Sequence, residues 1–198
     1  MRAGIVAVLV FTGVWADAAS ALDLTPFIGY RFGGSVEDAA GNKVNIDDSP
    51  SYGFILGSTH DPYHRIELLY SHQATELSQS GSGTRLFDLN VDYLHIGGTY
   101  MADKSLPVRP FASGGLGLTY MDPSVAGGSS ETRFSLSFGG GAEWFPVDNV
   151  GLRLEARADF TMLESGGSLF CANGGCELYV SGSGVVQYET LAGVTIRF

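Results

Sequence analysis

Between residues 151 and 162 every second side chain is apolar: Leu152, Leu154, Ala156, Ala158, Phe160 and Met162 alternate with Arg153, Glu155, Arg157, Asp159 and Thr161. Successive side chains of a strand point to opposite faces, so a period of two specifies a β-strand with one apolar and one charged face. The end of the chain repeats the pattern, with Val186, Tyr188, Thr190, Ala192, Val194, Ile196 and Phe198 set against Gln187, Glu189, Leu191, Gly193, Thr195 and Arg197. A third copy sets Phe134, Leu136, Phe138, Gly140, Ala142 and Trp144 against Ser135, Ser137, Gly139, Gly141 and Glu143.

Weaker alternation covers residues 25–32, 52–59, 65–72, 87–100 and 108–120, which brings the expected strands to eight. Most approach or exceed the ~9–11 residues with which a tilted strand crosses a bilayer. In the fourth, Phe87, Leu89, Val91 and Tyr93 share one face while Leu94, Ile96 and Tyr100 continue on the other, so a β-bulge near Tyr93-Leu94 is expected to restore the phase. Connections alternate in length. Short turns fall at His60-Asp61-Pro62-Tyr63-His64, Asp103-Lys104-Ser105 and Pro146-Val147-Asp148-Asn149; long segments cover residues 34–50, 74–84, 122–131 and 165–185. Short turns at one end and long loops at the other are the rhythm of an up-and-down barrel with both termini on the periplasmic side.

Arg2, an apolar run from Ile5 to Trp15 and the small residues Ala16-Asp17-Ala18-Ala19-Ser20-Ala21 have the three zones of a secretory signal peptide. Cleavage sites compete after Ala18 and Ala21. The second is preferred, giving a signal peptide over residues 1–21 and one barrel domain over residues 22–198. With 44% hydrophobic and 16% charged residues and 28 glycines, the chain fits neither a disordered segment nor a coiled coil. Its net charge of −10 argues against a nucleic-acid partner.

Alternation alone also fits a soluble ligand-binding barrel, with Leu and Phe inside and Arg and Glu outside. Aromatic residues near strand ends tip the choice toward a membrane: Tyr30, Phe32, Tyr52, Tyr70, Tyr120 and Phe134 lie toward the long loops, Trp144 and Phe198 toward the termini. Such girdles mark the two membrane interfaces. The expected fold is therefore all-β, an eight-stranded antiparallel up-and-down transmembrane β-barrel.

Five segments carry a family resemblance: Phe27-Ile28-Gly29-Tyr30-Arg31-Phe32-Gly33, Arg109-Pro110-Phe111-Ala112-Ser113-Gly114-Gly115-Leu116-Gly117, Gly139-Gly140-Gly141-Ala142-Glu143-Trp144, Leu152-Arg153-Leu154-Glu155-Ala156-Arg157 and Gly193-Val194-Thr195-Ile196-Arg197-Phe198. Together they make the mature chain resemble the outer-membrane β-barrel domain family, which includes the transmembrane half of outer membrane protein A. The resemblance implies an eight-stranded barrel in the outer membrane of a Gram-negative-type cell. It also implies that Phe198 is a recognition signal for the outer-membrane assembly machinery. A peptidoglycan-binding domain of the outer membrane protein A type is not among the segments matched, and the family supplies no active-site residues.

With the apolar faces on lipid, the lumen is expected to receive Arg31, Arg65, Arg109, Arg153, Arg157 and Arg197, with Glu67, Asp88, Asp92, Glu143, Glu155, Asp159 and Glu189. An eight-stranded barrel is just wide enough for its side chains to fill, so these charges are read as a pairing plug, with a narrow ion-selective path as the alternative. Inward Gly29, Gly53, Gly57, Gly115, Gly117, Gly139 and Gly141 are expected to leave gaps for water. The excess negative charge then lies mostly in the long loops, at Glu37, Asp38, Asp47, Asp48, Glu76, Asp122, Glu131, Glu164 and Glu177. Asn45, Asp47 and Asp48 lack the spacing of a calcium loop, and solvated surface charge is the preferred reading.

Cys171 and Cys176 flank Ala172-Asn173-Gly174-Gly175, and in an oxidising compartment this pair favours a local disulfide over a metal site. His60 and His64 bracket a turn. Ser71 and His72 invite comparison with a surface hydrolase, but neighbours in a strand face opposite ways. Three functions stay open. The first is a non-enzymatic integral outer-membrane protein with a structural or surface-recognition role, meeting lipid with its wall and an external ligand with its loops. The second is a small ion- or solute-conducting channel, and the third a barrel enzyme acting on lipid or peptide. No cofactor is expected.

Overall fold

The computed structural model describes residues 22–37, 43–59, 61–102, 106–124, 129–163, 168–172, 175–179 and 184–198, with backbone alone for residues 36, 37, 168–172 and 175–179. The expected signal peptide, Asp38, His60 and Glu164 lie outside the described residues, as do the side chains of Glu37, Cys171, Cys176 and Glu177.

The described secondary structure consists of strands: β1 (Leu22–Phe32), β2 (Ser35–Glu37), β3 (Lys43–Ile46), β4 (Ser49–Thr59), β5 (His64–Gln79), β6 (Arg85–Met101), β7 (Val108–Pro123), β8 (Glu131–Val147), β9 (Val150–Met162), β10 (Ser168–Ala172), β11 (Gly175–Tyr179) and β12 (Gly184–Arg197). Eight of them, β1, β4 to β9 and β12, pair antiparallel with the next long strand in the chain, and β12 pairs back onto β1. The barrel is closed. At the seam Phe27 faces Gly193 and Arg31 faces Glu189, and the Phe198 N–H donates to the Leu22 carbonyl at 2.9 Å.

Paired residues along the barrel wall share parity, as in Gly57↔Glu67, His95↔Gly117 and Glu143↔Arg153. Odd-numbered residues therefore point inward around the wall, and even-numbered ones outward. Ile28 is 73% exposed and Leu154 62%, whereas Arg31 and Arg153 are fully buried. That is the inverse of a soluble barrel.

The expected bulge at Tyr93-Leu94 is not present. β6 keeps one phase, and its register with β5 shifts only between Leu77 and Ser78, beyond the apolar band. Leu89, Val91 and Tyr93 consequently face inward. There they join Val44, Ile46, Leu77, Met121, Leu163 and Val185 in an apolar cluster at the loop end of the lumen.

Two expected long loops are largely strand. β5 and β6 run on to Gln79 and Arg85, and the turn between them places Gly81 and Gly83 at φ of 94° and 65°, a region where a Cβ is strained. In segment 34–50, β2 and β3 form a hairpin whose β3 lies along the top of β5, with Ile46 opposite Leu77. At the other end the 61–64 turn is tied by Asp61, whose carboxylate accepts the N–H groups of Tyr63 and His64 at 2.8 and 2.9 Å. The Tyr63 N–H, and then the His64 side chain 2.8 Å away, hold the Asp61 carboxyl below its usual range.

Candidate functional site

The functional groups of the barrel face its lumen, where the odd positions of neighbouring strands bring arginines and carboxylates to adjoining levels. At the turn end Arg197 Nε donates to Asp23 at 3.0 Å, and Arg65 Nε lies 3.2 Å from the same carboxylate. Arg65 forks onto Glu143 at 2.6 and 3.0 Å. Across from it Arg153 forks onto Glu67 at 2.7 and 3.0 Å, and reaches Glu143 at 3.3 Å and Glu155 at 2.8 Å. The planar guanidinium matches two carboxylate oxygens at once, which is why arginine rather than lysine suits these positions.

Nearer mid-lumen Arg157 lies 2.8 Å from Glu155, whose carboxylate also accepts Ser113 Oγ at 2.7 Å. Arg31 pairs with Glu189 at 3.0 Å, and Ser71 bridges them, accepting from Arg31 at 2.6 Å and donating to Glu189 at 2.9 Å. Aromatic faces support the guanidinium groups: Arg153 sits 4.4 Å from the Phe111 ring centre and Arg31 4.5 Å from that of Tyr93.

Toward the loop end the charges give way to a neutral ring. Tyr93 Oη donates to Gln187 at 2.9 Å, Gln187 to Gln73 at 3.3 Å and Gln73 to Ser49 at 2.9 Å. Above this ring lies the apolar cluster, with Val44 and Ile46 supplied by the first loop. From the turn end outward the lumen thus passes from an ionic ladder to a polar layer and an apolar cluster, with the Arg133–Glu131 pair, 3.1 Å apart, at the loop end of β8.

Of the residues expected in the lumen, Arg31, Arg65, Glu67, Glu143, Arg153, Glu155, Arg157, Asp159 and Glu189 are buried there, and Arg197 sits at its turn-end rim. Arg109 is half-buried at that end, 5.4 Å from the Phe145 ring centre and apart from the ladder.

Asp88 and Asp92 are corrections. Both are even-numbered and lie outside, because β6 has no bulge to turn them in. Asp88 is exposed and pairs with Arg85. Asp92 lies in the outer aromatic row, accepting Tyr70 Oη at 2.8 Å and standing 2.7 Å from His72 Nδ1. Asp23, buried at the turn end, joins the ladder in their stead.

Several inward glycines also differ from expectation, since packing fills the space beside them. A Cβ at Gly57 would meet Arg65 Cδ at 2.6 Å, and one at Gly139 would meet Arg157 Cβ at 2.9 Å. Each lets a long side chain lie flat on the wall.

Ser71 is buried inside while His72 points out, so the two share no hydrogen bond. In the first loop Asp47 accepts Ser78 Oγ and Asp48 accepts the Gly33 N–H at 3.0 Å, so both shape the loop. Among the described residues no group of three or more His, Cys, Asp or Glu is gathered as metal ligands would be. The hairpin of β10 and β11 sets the Cys171 and Cys176 backbones directly opposite each other.

A closed eight-stranded barrel with charge inside and apolar residues outside defines an integral outer-membrane barrel. The chain belongs to the outer membrane protein beta-barrel domain family, whose model matches residues 6–185. No curated protein matches the sequence significantly. Among solved structures, Neisserial surface protein A superposes with a TM-score of 0.65 at 17% identity, covering 90% of this chain and 99% of that one. Outer membrane protein OprG from Pseudomonas aeruginosa gives 0.58 at 14% identity over 91% and 96% of the two chains. The N-terminal barrel of OprF from Pseudomonas aeruginosa gives 0.51 at 12% identity over 89% and 98%. At such identities the likeness is one of fold.

Proposed function

We propose that this barrel is a non-enzymatic outer-membrane protein whose lumen is plugged and whose loops present a recognition surface. One observation carries the reading. The arginines of the ladder are held in forks or pairs by carboxylates, and the apolar cluster lies between them and the loop end. An ion entering from that end would shed its water against Leu, Val and Met side chains, and one entering from the turns would have to break charge pairs. In planar bilayers the purified protein is expected to give no steady current. A reproducible, ion-selective conductance would replace the plug with a channel.

The short turns and both termini belong on the periplasmic side, with the hairpins of β2–β3 and β10–β11 outside. The chain is read as cleaved after Ala21, behind the small residues that close the signal peptide. A disulfide between Cys171 and Cys176 is supported by their register, since directly opposed residues of an antiparallel pair stand ~4.5–5.5 Å apart, within the span a disulfide bridges. The chain-entropy model assigns so small a ring roughly 2 kcal/mol, enough to shape the hairpin. Both thiols are expected to resist alkylation until a reductant is added, and modification without reductant would rule the bridge out.

A further inference from the structure

Among the described arginines Arg109 stands apart. Every other one is ion-paired with a carboxylate, Arg85 and Arg133 outside the ladder included. Arg109 has neither an ion pair nor a hydrogen bond among the described residues, and its guanidinium lies over the Phe145 ring, 5.4 Å from the centre. The register explains why. Arg109 is opposite Glu143 on β8, but both oxygens of that carboxylate are taken by Arg65, at 2.6 and 3.0 Å, and Arg153 adds a contact at 3.3 Å.

Phe145 is built into this place. The β8–β9 ladder breaks between Trp144 and Val147, where Pro146 has no N–H to donate. The ring settles on Gly151, where a Cβ would meet its carbons at 2.7 to 2.9 Å. Arg197 shares the ring, 4.3 Å from its centre. It turns Nε and Nη2 to Asp23, at 3.0 and 3.4 Å, which leaves Nη1 outside the fork. The Arg197 side chain is 26% exposed and Arg109 is half-buried, so solvent at the turn end reaches both.

We propose that this mouth binds a carboxylate, held by Arg109 and by Nη1 of Arg197 beside the face of Phe145. The charges select the ligand. Asp23 answers Arg197 and Glu143 answers Arg65, so the positive charge of Arg109 is left to be matched. A monoanion matches it, whereas a dianion would also face Asp23. A planar carboxylate fits the guanidinium fork as Glu143 and Glu67 do deeper in the lumen. Arg109 and Arg197 face inward, so the ligand enters along the barrel axis from the aqueous side; lipid meets Val108 and Trp144 on the outer wall. Two sources carry such a group: a small free acid, or an acidic side chain or chain end of a peptide. That the mouth opens to the periplasm rests on the orientation proposed above; the site itself does not.

The full barrel in nanodiscs of zwitterionic lipid, open to solvent on both faces, tests the site whatever the orientation. Sodium acetate replaces sodium chloride at constant ionic strength, and the Nε–Hε signals of the arginines are followed by NMR. Those of Arg109 and Arg197 should shift saturably, and those of Arg31 and Arg153, deep in the ladder, should not. No shift, or equal shifts throughout, would overturn the site. Arg109→Gln should weaken acetate binding, read at Arg197, by about tenfold or more, the loss of one charge-assisted bond, while the urea midpoint stays that of the wild type. A lowered midpoint with unchanged affinity would make Arg109 structural and overturn the proposal. A glutamate-rich peptide that binds more tightly than acetate identifies a peptide source, and equal affinity per carboxylate a free acid. If anionic lipid in the disc abolishes the acetate shifts, the arginines serve lipid phosphate and the carboxylate site falls. Impermeant amine labelling in intact cells, expected at Lys43 on the loop side and not at Lys104 between β6 and β7, tests the orientation separately.

Discussion

Arg153 is the residue on which most of the ladder converges, because three carboxylates lie within 3.3 Å of one guanidinium. Removing it takes one partner from each of Glu67, Glu143 and Glu155, of which Arg65 still holds Glu143 and Arg157 still holds Glu155. Glu67 keeps only Arg65 at 3.4 Å. Breaking a buried pair from one side costs ~3–5 kcal/mol, and Arg153→Ala is expected in that range by urea unfolding in vesicles. Arg157→Ala should cost less, since Glu155 and Glu189 retain Arg153 and Arg31. Equal, small losses for both variants would mean that the lumen charges are already hydrated and that the ladder contributes little. Asp23 belongs to the same scale. The sequence contains its signal, Leu22 and Leu24 flanking an acid, but with the first strand expected to begin at residue 25 there was no alternation to place Asp23 inside.

Individual strands differ in how openly they declare their faces. β9 sets apolar residues on lipid and charges in the lumen along most of its length, and Ala156, near its middle, is exposed while Glu155 is buried. Ala156→Arg should destabilise the barrel by ~2–4 kcal/mol if the position lies at the bilayer midplane. A spin label at 156 should be quenched by a lipid-dissolved relaxant and one at 155 should not; the reverse would invert the wall. β12 and the middle of β8 were legible for the same reason. β6 was not, because its loop-end half meets an apolar lumen. Leu89, Val91 and Tyr93 turn inward and Leu94 and Ile96 outward on one unbroken strand. Hydrophobicity there marks two different apolar media, and only parity carried up from Leu94, Ile96 and Tyr100 distinguishes them. β3 is not legible because Val44 and Ile46 are too short an alternation to count as a strand, although they belong to the apolar cluster at the loop end of the lumen.

For the whole molecule, closure depends on the first and last strands meeting. β12 is held on one side by β9 and on the other by β1, and the final residue adds the Phe198 N–H to Leu22 carbonyl bond. The ring of Phe198 is 71% exposed on the lipid side, so it contributes little packing inside the barrel. A residue that secures the seam through its backbone and offers its side chain outward can act in folding, in recognition by the assembly machinery, or in both. Two variants separate these roles. Deleting Phe198 removes backbone and ring, whereas Phe198→Ala keeps the bond to Leu22. If the ring is the assembly signal, both variants should reduce the heat-modifiable, membrane-inserted protein in cells while leaving export intact, and both should refold into vesicles as the wild type does. If only the seam matters, the deletion alone should fail, and it should fail in vesicles as well as in cells. Unchanged yield of inserted protein for both variants would remove Phe198 from assembly altogether.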